Sequence, residues 1–304
     1  MLKSMDDVIA QALTLPRQSV AVACAHDKEA LKAVSEAHAL GLAHFILVGN
    51  EARIRAIADD MAFDLDGFDI VDVDGEAEGA AATVHVVASG RAGILLKGFV
   101  DSSVLFKAVL DRNTGLRNGA TVSHTVVMDV PGFDKLYLLT DAAMIIKPDL
   151  ETKRQILINS TAVARALGIA DPIAGVLCES EKVNPKMAAT MDAAALVEMY
   201  QAGQIPGCRV GGPYALDNAI SERAAKHKGM DDPLAGKCDI LLAPDLAAGN
   251  IFYKSLMYFA KAKSAGVVVG TKAPVLLNSR ADSHETKINS VALGILMAAQ
   301  GEHA

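Results

Sequence analysis

The chain has no tryptophan, and aromatic residues make up 4% of its 304 positions. A nucleic-acid surface draws on stacking rings and a basic stripe, and here the net charge is −7. Nucleic acid is thereby excluded as a partner, and an anionic ligand must be met by donors gathered locally. Long apolar runs are also missing, so no segment reads as a membrane span. Residues 1–16 carry Asp6 and Asp7 and show no basic start, apolar core or cleavage-site order, which excludes a secretion signal. The expected setting is cytoplasmic, with no membrane partner.

Cysteine is sparse and unpatterned. Cys24, Cys178, Cys208 and Cys238 stand singly, without the C-x-x-C spacing of a metal or redox site, and three lie in or beside apolar strand-like runs. They are expected to be reduced thiols packed as small hydrophobes, and none has a base placed beside it in a nucleophile motif. The eight histidines are scattered and no carboxylates cluster at ligand spacing, so no metal is expected. No G-x-G-x-x-G follows the first strand and no G-x-x-x-x-G-K-[ST] occurs anywhere, which removes the common nucleotide cofactors.

What is present is a globular composition, 51% hydrophobic and 21% charged, in a chain long enough for two domains. Hydrophobic periodicity alternates between strand and helix from the start. Strands are predicted at 19–25, 44–48, 69–73 and 94–97, with helices at 27–40, 51–60, 75–88 and 102–110. That alternation implies an α/β fold, a parallel sheet covered by helices, with ligands outside the carboxyl ends of its strands. Lys97-Gly98 falls at such an end. Gly98 would let the backbone approach a ligand, and Ser102 and Ser103 open the following helix, where they equally serve as caps.

After residue 120 the pattern changes to two adjacent strands, 122–128 and 136–140, read as a hairpin that opens a second domain. Helices follow at 148–167, 185–201 and 214–227, with strands at 173–178, near 208–210, and at 239–243. The expected division is 1–122 plus 268–304 as one domain and 123–267 as the other.

The last sixty or so residues carry the chemistry. A helix predicted at 246–263 leads to short β-branched runs at 266–270 and 273–277, and apolar character ends abruptly in Asn278-Ser279-Arg280-Ala281-Asp282-Ser283. Asp282 and Ser283 are both good N-caps, Glu285 stands three residues after Asp282 as in a capping box, and an amphipathic to buried helix runs on to 299. A helix start offers unpaired N–H groups and partial positive charge, and Ser279 and Arg280 add a hydroxyl and a fork of donors just upstream. Together they would hold phosphate. The bland alternative is a capped helix beside a surface arginine.

Four stretches in order decide between these. They are LLKGFVDSSVLFKAVLDRNTGLRNGATVSH (95–124), LLTDAAMIIKPDLETKRQIL (138–157), VNPKMAATMDAAALVEMYQAGQIPGCRVGGPYALDNAIS (183–221), and the C-terminal segment containing APVLLNSRADSHETKINS. From about Ser19 onward the chain resembles the phosphate acetyltransferase/phosphate butyryltransferase family, and the last segment is similar to the butyryl-type branch pattern APxxLxSRADSxExKxNS. The resemblance implies a two-domain α/β protein of isocitrate/isopropylmalate dehydrogenase architecture, with an interdomain cleft as active site and a homodimer formed through the second domain. It implies acyl transfer between coenzyme A, as substrate rather than cofactor, and inorganic phosphate, acetyl and butyryl both open. Ser279, Arg280, Asp282 and Glu285 are then the candidate catalytic residues, and Lys97, Gly98, Ser102, Ser103, Asn278, Ser283 and Thr286 the candidate substrate-binding ones.

One departure matters. Acetyl-type members place an aspartate seven residues after the serine and assign it general base, whereas this chain has Thr286 there. Asp282 and Glu285 are the carboxylates left, and each has a capping explanation. Arg112, Arg117, Lys272 and Lys287 are candidate partners for the CoA phosphates, and Asp245 and Asn250 belong to the family segment. Competing readings are a non-catalytic acyl-CoA-sensing module and a decarboxylating dehydrogenase of related fold; the first is opposed by the Ser-Arg pair, the second by the missing carboxylate metal site.

Overall fold

A computed structural model describes residues 1–279 and 282–301 of the chain. Arg280 and Ala281 therefore lie outside the described residues. The chain divides into two compact units, one of residues 5–120 and 265–304, the other of residues 1–4 and 121–264.

The first unit begins with α1 (Met5–Ala12), β1 (Gln18–Ala23), α2 (Lys28–Ala39), β2 (Ala43–Gly49), α3 (Glu51–Asp60), β3 (Asp69–Asp72), α4 (Glu76–Ala88), β4 (Ile94–Lys97) and α5 (Ser102–Val109). Local chemistry places the helix starts. Asp27 accepts from the Ala30 N–H and Asn50 from that of Arg53, each satisfying an amide that the first turn leaves without a partner. The sequence pattern misses α1. Its eight residues are too few to hold helix in isolation, and it exists because Met5, Val8 and Ala12 are buried in the unit's core.

The other unit carries β5 (Ser123–Asp129), β6 (Leu136–Thr140), α6 (Leu150–Ala166), β7 (Ile173–Leu177), α7 (Ala188–Gln201), β8 (Arg209–Tyr214), α8 (Leu216–Ile220), α9 (Glu222–His227), β9 (Ile240–Leu242) and α10 (Leu246–Tyr258). Strands β5 and β6 form an antiparallel hairpin, and the order β5-β6-β9-β7-β8 continues with parallel pairs. Two expectations are corrected here. The strand near 208 runs on through Gly211, Gly212 and Pro213, which an edge strand tolerates because the missing proline N–H has no ladder partner to lose. The single helix expected at 214–227 is broken at Ser221, whose backbone turns extended and whose hydroxyl accepts from the Ala224 N–H.

The chain then returns to the first unit through β10 (Lys263–Val269), β11 (Val275–Leu276) and α11 (His284–Gln300). Helical periodicity overran α10, which ends at Tyr258; Lys261 takes a positive φ of 55° and Lys263 already belongs to β10. Strand order in this unit is β3-β2-β1-β4-β11-β10, parallel throughout except for the antiparallel β10–β11 pair. The sheets are thus mixed and mostly parallel rather than wholly parallel. Helices α4 and α5 pack together, as do α1, α2 and α11. No helix among the described residues is long and apolar enough to cross a membrane.

Helix α11 is the central element. Every residue from Thr286 to Met297 is buried. Gly294 lets it lie close to the sheet: a Cβ there would meet a Leu276 methyl at 2.9 Å and an Ile94 methyl at 3.3 Å. Gly301, with φ of 66°, ends the helix in the left-handed conformation that glycine adopts without strain.

Candidate active site

Strands β4 and β11 are parallel neighbours, with Leu96 opposite Leu276. Their carboxyl ends therefore deliver Lys97-Gly98 and Leu277-Asn278 to the same edge of the unit. Ligands collect at such ends in open α/β sheets, above all where strand order reverses, and β1 and β4 flank that reversal.

Past β11, Ser279 and Asp282 are tied to each other by two hydrogen bonds. The Ser279 N–H donates to Asp282 Oδ2 at 2.7 Å, and the Asp282 N–H donates back to the Ser279 carbonyl at 3.1 Å. The carboxylate of Asp282 thus latches the serine backbone. It does not cap the helix. That role belongs to Ser283, whose hydroxyl accepts from the Thr286 N–H at 3.4 Å, so the expected Asp282/Glu285 capping box is corrected to a cap one residue later. Thr286 is buried, its hydroxyl 3.5 Å from that of Ser283.

Glu285 lies in the first turn of α11, its carboxylate 3.7 Å from His284. Its carboxyl is held below the usual range, first by a hydrogen bond from Ser283 and further by His284 and Lys32. His284 is ringed by Glu29, Glu36 and Glu285 at 3.5–3.7 Å, which pins the first turn of α11 to α2.

Beneath the turn, Ser290 is a hydrogen-bond hub. Its hydroxyl accepts from the Gly266 N–H and from Asn278 Nδ2, both at 3.0 Å, and donates to the Thr286 carbonyl at 2.9 Å. Because the one hydroxyl proton is spent on Thr286, Asn278 must present its NH2 group to Ser290. Its Oδ1 is left buried with no hydrogen-bond partner.

On the neighbouring strand Lys97 is buried, and its ammonium acts on Cys24 at the end of β1. That thiol is pushed up to about 11, by burial first and then by Glu76, with Lys97 pulling the other way. The need for glycine at 98 proves to be internal to the fold: a Cβ would lie 2.3 Å from the Ala23 carbonyl oxygen and 2.9 Å from that of Cys24. Ser102 and Ser103 open α5, where Asp101 takes the cap position without a side-chain capping bond to the helix. The structure therefore gathers Asn278, Ser279, Asp282, Ser283 and Thr286 between β11 and the start of α11, sets Lys97 and Gly98 at the end of the adjacent strand, and leaves Glu285 beside Ser283 and His284. Asp245 and Asn250 lie in the other unit, the first capping α10 and the second donating to the Ala142 carbonyl.

Comparison with known proteins settles the family. The model for Phosphate acetyl/butaryl transferase matches residues 4–83 and 77–295. The chain belongs to this phosphate acyltransferase family. It is 44% identical over 302 residues to a phosphate butyryltransferase of Clostridium beijerinckii, covering 99% of this chain and 100% of that one. It is 42% identical over 281 residues to a phosphate acetyltransferase of Thermotoga maritima, covering 92% and 95%. A branched-chain phosphotransacylase from Enterococcus faecalis superposes with a TM-score of 0.82 at 33% identity, over 94% of this chain and 100% of that one. The enzyme is thus a phosphate acyltransferase, butyryl or acetyl, on an α/β fold shared with phosphotransacylases and with a 4-hydroxythreonine-4-phosphate dehydrogenase.

One residue escaped the sequence reading of the acyltransferase site. Lys287 was a distant candidate for CoA phosphates, yet it is 4% exposed and its Nζ donates to the Asp282 carbonyl at 2.9 Å. The signal was available: a helix that is apolar on all sides is a buried helix, and a lysine in its first turns is buried with it.

Proposed function

We propose that this acyltransferase moves a butyryl group in preference to acetyl between coenzyme A and inorganic phosphate, at the turn that joins β11 to α11. The observation that carries the reading is the convergence of Ser279, Asn278 and the N-terminus of α11 beside the end of β4. The butyryl preference rests on the segment APVLLNSRADSHETKINS.

A phosphate oxygen attacks the thioester carbonyl, the C–O bond forms, and the C–S bond breaks with its electron pair leaving on sulfur. The Ser279 hydroxyl donates to the oxyanion or the departing sulfur, and Arg280, assigned from sequence, grips phosphate through two parallel N–H bonds. Asp282 holds Ser279 in place through its backbone amide. The proton that hydrogen phosphate brings ends on the CoA thiol, so the balance closes without an aspartate at position 286. Arg117 and Lys272 sit on paired backbone, linked by the Arg117–Thr271 bridge and the Lys272 N–H to Leu116 carbonyl bond, and serve the CoA phosphates.

The enzyme works as a homodimer through α10, where Ile251 and Tyr258 form an exposed apolar row with Phe259 at the helix's C-cap, Phe259 at 89%. Sedimentation should give a dimer that Phe259→Asp dissociates; a monomeric wild type would refute the assignment. The free cysteines support a cytoplasmic setting.

The test of the activity is direct. Butyryl-CoA and acetyl-CoA are each incubated with the protein, with and without phosphate, and freed thiol is counted. Phosphate-dependent release, with higher kcat/KM for butyryl-CoA, is expected. No release from either would return the non-catalytic module to first place, and a higher value for acetyl-CoA would reverse the acyl preference.

A further inference from the structure

We propose that Lys287 is a substrate-binding residue of this reaction, its ammonium meeting the negative charge of inorganic phosphate beneath the 279–282 turn. The proposal rests on the reading that this turn is the acyl-transfer site.

Three observations converge on it. First, Lys287 is buried, and the described partner of its Nζ is a neutral carbonyl, that of Asp282 at 2.9 Å. An ammonium carries three donors, and burying one without a counter-charge is costly. Among the described residues no ion pair joins Lys287 to a carboxylate; Asp282 Oδ2 accepts from the Ser279 N–H, and Glu29, Glu36 and Glu285 surround His284. Secondly, the ammonium sits at the N-terminus of α11, where the helix adds partial positive charge of its own. Two like charges packed together describe a place waiting for an anion.

The third observation concerns Asn278, which is 3% exposed. Ser290 fixes its amide so that Oδ1 is the group left without a partner. Ser290 and Lys287 are three apart on α11 and so share a face of that helix. Asn278 directly precedes Ser279, whose N–H is held by the Asp282 carboxylate, and Lys287 Nζ donates to the carbonyl of that same Asp282, so an ammonium, a helix start and one unpaired acceptor border the same residues. Hydrogen phosphate matches that set, since its charged oxygens accept from the cationic groups while its P–OH donates to Asn278 Oδ1. An acyl chain or a thioester sulfur offers neither charge nor donor.

The experiment measures KM for phosphate and for butyryl-CoA in wild type, Lys287→Met and Lys287→Arg, with thermal melting of each. The expected result in Lys287→Met is a phosphate KM raised about ten- to a hundredfold, the range for a lost charge-assisted hydrogen bond, with the butyryl-CoA KM within about twofold. Lys287→Arg should recover part of the loss. An unchanged phosphate KM, an equal rise in both KM values, or a lower Tm with unaltered kinetics would each overturn the proposal, the last by reducing Lys287 to a clip on the turn. If Lys287→Met does not fold, Lys287→Gln keeps a donor for the Asp282 carbonyl while losing the charge, and the same split decides. A wild type with no phosphate-dependent thiol release refutes the acyl-transfer reading separately. Phosphate raising the Tm of wild type but not of Lys287→Gln would then still establish Lys287 as the anion contact, and equal shifts would remove it.

Discussion

Ser290→Ala tests how the active-site turn is held from below. The hydroxyl is fully buried and serves three partners: the Gly266 N–H, Asn278 Nδ2 and the Thr286 carbonyl. Its removal orphans two buried donors. Each costs about 1–3 kcal/mol when left unsatisfied, so a destabilisation of about 2–6 kcal/mol is expected. In a unit of this size that corresponds to a fall in Tm of about 5 °C or more. Denaturant unfolding gives the free energy, and amide exchange at Gly266 in β10 reports the broken bond locally. Because Asn278 loses its anchor, kcat/KM should fall about tenfold as well. A double-mutant cycle with Asn278→Ala isolates the link: in that background Ser290→Ala orphans one donor fewer, so coupling of about 1 kcal/mol or more is expected. Wild-type stability, exchange and kinetics in Ser290→Ala would refute the hub, and strict additivity would refute the tie from Ser290 to Asn278.

Further outcomes follow from the same geometry. Asp282→Asn keeps an acceptor for the Ser279 N–H and should retain most activity, whereas Asp282→Ala should lose about tenfold or more in kcat; equal losses in steady-state assays would instead make the charge of Asp282 essential. Gly98→Ala must move the Ala23 carbonyl, which a Cβ would approach to 2.3 Å, and should cost about 3 kcal/mol or more in urea unfolding; near-native stability would mean that β1 and β4 separate more easily than their pairing suggests. Burial raises Cys24 to about 11 and Cys178, Cys208 and Cys238 to about 12, so the native protein should leave them unreacted with thiol reagent at neutral pH while the denatured chain exposes all four. These thiols hold their protons longer when folded, so their contribution to stability is intact below the ordinary value of 9.0 and is lost as pH rises from there toward about 12; Tm measured against pH should fall over that window, and a flat profile would contradict the shifts.

Much of the architecture was legible because the signals are local. Strands β4 and β6 and helix α3 fall where periodicity put them, since each is bounded by a cap, a turn or a change of period within a few residues. Two of the misses share a cause: helix α1 is held by its burial against the core and the length of β8 by its edge position, neither of which is written in a short window, whereas the break at Ser221 is a local cap that the helical periodicity masked.

The site divides along the same line. Sequence by itself determined that a serine-arginine pair stands between a strand end and a helix start, that Ser283 can cap that helix, and that the ordered segments belong to an acyl-phosphate-forming family. Tertiary structure decided which groups meet there: His284 was set against Glu29 and Glu36 of α2, Gly98 was required by the carbonyls of Ala23 and Cys24, and Lys287 and Asn278 were buried. The reason is physical. Capping and turn formation are set by neighbours in the chain, whereas burial, and with it the value of a charge or an unpaired carbonyl, is set by elements far away in sequence that only packing brings together.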